Sequence, residues 1–232
     1  LADGKELWSV RGLSWQIKAS AIVDGDTIYA TGWAPGADPG QAKPLPPFAE
    51  AVREADANRD NKLQNAELPA PWKHGGSWQA IDLDNDGGLD AREWSFYRGR
   101  REASNVTLAV RPGNARGDLT TSHVAWKHQR MVPEVPSPLL YDGVLYTIKT
   151  GGIFTSMNPA TGEIQKSARI PGAIDSYYAS PIAAAGKIFL FSEQGKAAVL
   201  KPGAQWEPLQ VNDFDEPIYA TPAIAGGRLY IR

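Results

Sequence analysis

Ser137 to Tyr146 reads SPLLYDGVLY, and three further stretches align with it: Ser20 to Tyr29 (SAIVDGDTIY), Ser180 to Phe189 (SPIAAAGKIF) and Thr221 to Tyr230 (TPAIAGGRLY). In each, an aromatic follows the opening Ser or Thr by nine residues. A short apolar run, a Gly-bearing turn and a second apolar run make the pattern of a β-hairpin. The last three copies start at 137, 180 and 221, steps of 43 and 41 residues. A repeat of that length, with hairpins in every unit, predicts four-stranded β-propeller blades.

The second half of the unit repeats too. VTLAVRP ends at Pro112, IFTSMNP at Pro159 and KAAVLKP at Pro202, each followed by a Gly-bearing turn and an outer strand. The opening LADGKELWSV matches the end of such a unit, as does NPATGEIQKS. The first unit departs from the pattern: its hairpin ends near Gly32, yet its third strand starts at about Val106. The expected organisation is propeller blades over 1–32 and 106–232, with 33–105 inserted in one blade behind a Pro/Gly linker, Trp33 to Pro47. The fold class is mainly β, a partial propeller of four-stranded blades with a small α-helical insert. Propellers hold ~4–8 blades, so further sequence or another chain is expected to complete the ring. Its open edges would otherwise invite association.

The insert carries two twelve-residue runs, Asp56 to Glu67 (DANRDNKLQNAE) and Asp82 to Glu93 (DLDNDGGLDARE). Both place oxygen-bearing side chains at positions 1, 3, 5, 9 and 12, with Glu last. A calcium ion takes about six to eight oxygen ligands, and a tight loop with this spacing turns its oxygens inward. The first set is Asp56, Asn58, Asp60, Gln64 and Glu67, with Lys62 giving only its backbone carbonyl so that its charge can point away. The second set is Asp82, Asp84, Asp86, Asp90 and Glu93, with the Gly88 carbonyl. Gly87 and Asn61 occupy position 6, where the chain turns sharply and tolerance of a left-handed backbone matters. Leu63 and Leu89 are placed for a strand-like contact between the loops. Such loops could also be plain solvated turns, but two complete matches 26 residues apart favour metal.

Apolar residues precede each loop at matching offsets, Val52 and Ala55, then Trp78 and Ile81, and residues 47–101 resemble a pair of EF-hands. The connector departs from that family. Only 14 residues separate Glu67 from Asp82, and Pro69, Pro71, Gly75 and Gly76 lie among them. The helices between the loops should be short, and two Met in the chain cannot line a target groove. Two constitutive Ca2+ sites are expected rather than a calcium-driven switch.

The 232 residues are 42% hydrophobic and 22% charged, as in a water-soluble globular protein. Residues 54–93 hold nine acidic and four basic side chains, a net of −5, against −2 for the whole chain. Acidity confined to the loops suits cation binding and gives nucleic acid no footprint. The absence of Cys excludes disulfides, thiolate zinc sites and cysteine nucleophiles. No apolar run is long enough to span a membrane. No signal peptide is visible, although an export signal could precede Leu1.

The recurring Ser-Pro, Asp-Gly, Tyr and Thr-Gly-Glu signature resembles the pyrroloquinoline-quinone-type repeat over residues 1–32 and 106–232. That family includes quinoprotein dehydrogenases and non-enzymatic propellers of outer-membrane protein assembly. An active quinoprotein would by resemblance need a cofactor-holding Trp, calcium at the quinone and a catalytic Asp. Many carry a disulfide of adjacent cysteines, which this chain lacks. Trp8, Trp15, Trp126 and Trp206 read as blade packing, and pyrroloquinoline quinone is not an expected cofactor. His123 and His128 are five apart and would fall on opposite faces of a strand. Asn105-Val-Thr107 fits a glycosylation sequon, meaningful only in a eukaryotic secretory pathway. No nucleophile elbow, phosphate loop or HExxH motif occurs.

The expected function is therefore a calcium-binding, non-enzymatic binding or scaffold module. It would sit outside the cytoplasm, periplasmic or secreted, and take a protein or extracellular ligand on the propeller face. The alternative is a fragment of a quinone-dependent oxidoreductase.

Overall fold

The structure is a computed structural model that describes residues 3–41 and 43–232. Leu1 and Ala2 of the opening stretch and Ala42 of the linker lie outside the described residues. The chain divides into two compact units, one of Leu1–Asp38 with Ser104–Arg232, the other of Pro39–Ala103. Residues 33–38, 104 and 105 thus fold with the blades.

Three four-stranded antiparallel sheets make the larger unit a partial β-propeller. The first blade holds Ile22–Asp24, Thr27–Gly32, Val106–Val110 and Val124–His128. The second holds Leu139–Tyr141, Val144–Lys149, Ile153–Met157 and Ile164–Arg169. The third holds Ile182–Ala184, Lys187–Phe191, Lys196–Lys201 and Glu207–Asp213. A last hairpin pairs Ala223–Ala225 with Arg228–Tyr230.

The hairpins close where the sequence places their turns. Asp142 and Gly143 link Tyr141 to Val144 with φ of 50° and 70°. This left-handed pair matches the right-handed twist of the strands, and Ala185-Gly186 and Gly226-Gly227 close their hairpins with the same pair of positive φ values. Central strands are covered on both faces, so Val106–Val110 is buried throughout and reads as a continuous apolar run rather than an alternating one. Successive side chains go to opposite neighbours. Leu145 packs with Tyr29, Ala109, Trp126 and Met157 between the first and second blades. Tyr146 and Ile148 pack with Phe154, Ile188, Leu200 and Trp206 between the second and third. Trp126 and Trp206 are blade packing, 8% and 1% exposed, whereas Trp15 is 38% exposed and outside the core.

One strand differs from expectation. The opening stretch does not form an outer blade strand; Trp8–Ser9 pairs in parallel with Gly117–Asp118 as a separate two-stranded sheet. Two residues are too few to complete a sheet, and Arg11 N–H is held instead by the Thr120 hydroxyl at 2.8 Å.

The insertion point is well defined. Gly32 and Val106 are paired across the first blade, so residues 33–105 occupy the place taken by the turn 150–152 of the second blade. Asn105 closes the gap. Its side-chain oxygen accepts from Ala34 N–H at 2.7 Å, and its amide donates to the Ala34 carbonyl at 3.0 Å and to Asp38 at 2.8 Å. With 0% exposure and both side-chain polar atoms committed, Asn105 is no glycan acceptor in this fold. The sequon reading is corrected accordingly.

Candidate metal centre

The smaller unit runs from helix α1 (Phe48–Ala55) through both acidic runs to helix α2 (Ala91–Glu102). Between the runs the structure has only two three-residue 3-10 turns, Ala70–Trp72 and Trp78–Ala80. Pro69 precedes the first and Pro71 lies within it, and their fixed φ and missing N–H leave no path for an α-helix. A core of Leu45, Ala51, Leu63, Leu68, Ile81, Leu89, Trp94 and Tyr97 joins the parts. At its centre Leu63 pairs with Leu89 and Gln64 with Gly88, a two-residue antiparallel ladder between the runs.

The arginines of α2 do what longer helices would otherwise do, and sequence reading missed them. Arg101 donates to the carbonyls of Pro71 at 2.9 Å, Lys43 at 3.1 Å and Lys73 at 3.4 Å, and to the Tyr97 hydroxyl at 2.7 Å. Arg98 reaches the Leu45 carbonyl at 2.9 Å and Arg100 the Ala80 carbonyl at 2.7 Å. The cluster Arg98-Gly-Arg-Arg101 at a helix C-terminus was the available signal. It reads equally well as dipole compensation.

In the second run, the carboxylate oxygens of Asp82, Asp84 and Asp86 lie within 4.8 Å of one another. Asp82 is 2% exposed and Glu93 3%. Asp82 Oδ2 accepts from Gly87 N–H at 3.0 Å, while Asp82 Oδ1 is buried with no hydrogen-bond partner. Glu93 reaches back across the loop: Oε1 accepts from Leu83 N–H at 2.6 Å and Oε2 from Asp90 N–H at 3.0 Å. Asp90 returns the bond by accepting from Glu93 N–H at 2.8 Å, a capping box that starts α2. Gly87 has φ 93° and Asn85 φ 59°, so two left-handed residues fold the loop on itself.

The first run is built alike, with Arg59 at φ 64° and Asn61 at φ 63°. Asp56 accepts from the N–H groups of Arg59 at 2.7 Å and Asn61 at 2.9 Å. Glu67 accepts from Ala57 N–H and Gln64 N–H, both at 3.0 Å. The amides of Asn58 and Gln64 donate to Asp60 Oδ2 at 3.0 and 2.7 Å. Turning either amide over would offer its oxygen instead. Asp60 is held below the usual carboxylate range, chiefly by the Lys62 N–H.

Lys62 departs from the expectation that its charge is simply turned outward. Its ammonium forms an ion pair with Asp86 of the other run. That contact holds Asp86 below the usual carboxylate range and raises Lys62. The ladder explains the reach, because Gln64 opposite Gly88 sets Lys62 alongside the second loop.

The arrangement fits a hard divalent cation: a buried, unpartnered carboxylate oxygen, two carboxylates beside it and an acid reaching back from position 12. Asp82, Asp84, Asp86, Asp90, Glu93 and the Gly88 carbonyl are the residues that could hold it. Asp56, Asn58, Asp60, Gln64, Glu67 and the Lys62 carbonyl are the residues at the corresponding positions of the first run. Elsewhere, His128 is half-buried with Nε2 unpaired, and His123 bonds the neighbouring Ser122 at 2.7 Å; they form no shared site. Among the described residues, no helix is long and apolar enough to cross a membrane.

No protein-family profile and no curated protein matches the chain. Among solved structures, BamB from Moraxella catarrhalis aligns over 54% of this chain and 36% of its own, with TM-score 0.43 and 15% identity. A quinohemoprotein alcohol dehydrogenase from Pseudomonas putida HK5 aligns over 92% of this chain and 22% of its own, with TM-score 0.43 and 12% identity. A europium-containing methanol dehydrogenase aligns over 49% and 20%, with TM-score 0.32 and 10% identity. The chain thus spans between 20% and 36% of the length of these structures. The propeller architecture stands on the chain's own repeated sheets.

Proposed function

We propose that this chain is a calcium-stabilised, non-enzymatic binding or scaffold module that works outside the cytoplasm, where calcium is abundant. The observation that carries the reading is the buried, unpartnered Asp82 Oδ1 beside the carboxylates of Asp84 and Asp86. An unpaired buried carboxylate oxygen is costly, and a cation is the partner such a group takes. The ion's chemistry is charge neutralisation: it would replace repulsion among the acids of each loop by shared coordination. The loops then hold α1, the Leu63–Leu89 ladder and α2 together.

The scaffold half draws on exposed aromatic surface. Tyr178 and Tyr219 are 41% and 55% exposed with ring centroids 5.6 Å apart, apolar bodies with hydrogen-bonding tips suited to a protein or other extracellular ligand.

The test is thermal unfolding of the chain with EDTA and with millimolar calcium chloride, beside calorimetric titration. Calcium should raise the midpoint of the smaller unit by several degrees, and Asp82→Ala with Glu93→Ala should abolish most of the rise. No binding heat and no shift in the unsubstituted chain would refute it.

A further inference from the structure

Lys62 belongs to both runs at once. Its backbone carbonyl stands at position 7 of the first, and its ammonium lies on Asp86 at position 5 of the second. Asp86 is one of the three clustered carboxylates, and its Oδ1 is already occupied by Gly88 N–H at 3.0 Å. The ammonium takes Oδ2, the oxygen left to serve a ligand. The charges that face this pair are Asp84 and Asp90, both close enough to act on Lys62. A compact cation within a cluster of acids occupies the electrostatic role of a bound metal, with one charge where calcium brings two.

We propose that Lys62 is a built-in competitor for the second loop: its ammonium must leave Asp86 before that carboxylate can ligate calcium, so Lys62 sets the loop's affinity. The inference rests on the calcium reading above and adds to it a named residue that weakens the site. It also ties the loops together, since the residue displaced from the second loop supplies the backbone of the first. The side chain is partly exposed, with 38% of its surface accessible, so departure into water is open to it. Screening by solvent keeps the competition moderate.

The experiment uses the full chain with Glu67→Gln, which weakens the first loop, titrated with calcium chloride by calorimetry. Lys62→Met should tighten the remaining site roughly 3–5-fold, the upper part of what one exposed ion pair contributes. Lys62→Arg, which keeps the charge, should stay within about twofold of Lys62. In an Asp86→Asn background, which removes the ammonium's partner, Lys62→Met should lose most of its effect, leaving only the smaller influence of Asp84 and Asp90. Midpoints in EDTA report whether each variant folds, and the Arg variant serves if Met disturbs the ladder, because weaker binding there than in Lys62→Gln again marks the charge. Affinity unchanged or weakened by Lys62→Met, or a gain that persists undiminished with Asp86→Asn, would overturn this inference while leaving the calcium site standing. Absence of calcium binding in every chain would overturn both.

Discussion

The Ser180 hydroxyl accepts a 2.9 Å hydrogen bond from the backbone amide of Ser137, one blade earlier. Ser20 N–H donates to the Ser137 hydroxyl at 2.9 Å, and Ser180 N–H to Thr221 at 2.9 Å. The hydroxyls of Ser137, Ser180 and Thr221 are therefore fasteners between consecutive repeats, each holding the opening amide of the repeat before it. Ser180→Ala leaves the Ser137 amide without its partner and should cost about 1 kcal/mol. Chemical denaturation checks this, and Ser180→Thr should restore most of the loss.

Gly152 and Gly195 occupy matching places, just before the third strand of successive blades, and both have left-handed φ, 69° and 86°. A Cβ on Gly195 would lie 2.4 Å from the Glu216 carbonyl oxygen, and one on Gly152 2.5 Å from that of Ala173. Gly195→Ala should destabilise the propeller by more than about 1 kcal/mol. Gly186→Ala shares the left-handed backbone, φ 69°, but meets no atom within 4 Å. The difference between the two variants in denaturant midpoint measures the close approach alone.

Asn105 takes the corresponding place in the first blade, directly before Val106–Val110. There the side chain, rather than a tight glycine turn, fastens the departing strand. Asn105→Ala would strip Ala34 of both side-chain partners in a buried setting and should cost about 2–4 kcal/mol. Asn105→Asp keeps the acceptor but loses both donors and faces Asp38, so it should be no better. Melting curves of the two variants decide the matter.

His74 lies edge-on to Tyr97 with centroids 5.5 Å apart. Burial first, then the charges of Arg100 and Arg101, lower its pKa from 6.5. A histidine whose folded pKa lies below its unfolded one binds its proton more readily when unfolded. Its contribution is complete above the unfolded pKa and declines as pH falls toward the folded one. In EDTA the smaller unit should lose stability from about pH 7 toward pH 5. His74→Asn should flatten that slope, read as melting midpoint against pH.

Strands, turns and insertion point were legible because each repeats: Gly-bearing turns, paired hydrophobic runs and a displaced third strand all leave marks in spacing. The acidic runs were legible for the same reason, since alternate oxygens over twelve residues are a pattern. What stayed hidden depends on partners distant in sequence. Arg101 meets Lys43, Pro71 and Lys73, and Asn105 meets Ala34; neither spacing nor composition announces such contacts. Lys62 was visible as a residue of the first run, but its pairing with Asp86 follows from the ladder register, which only the folded chain supplies. Trp8–Ser9 misled because two residues can match a strand end without having the neighbours to be one.

Gly32 faces Val106 across the whole of residues 33–105, so the first blade's central pairing is a long-range contact while its counterparts in the other blades are local. Closing a long flexible loop is entropically dearer than closing a short one, and contacts distant in sequence form slowly. A segment that collapses early into its own core brings its two ends near each other and shortens the search. The first blade should therefore be the late step in refolding of the larger unit, and whatever hastens compaction of the insert should hasten it, without touching a single one of its strands.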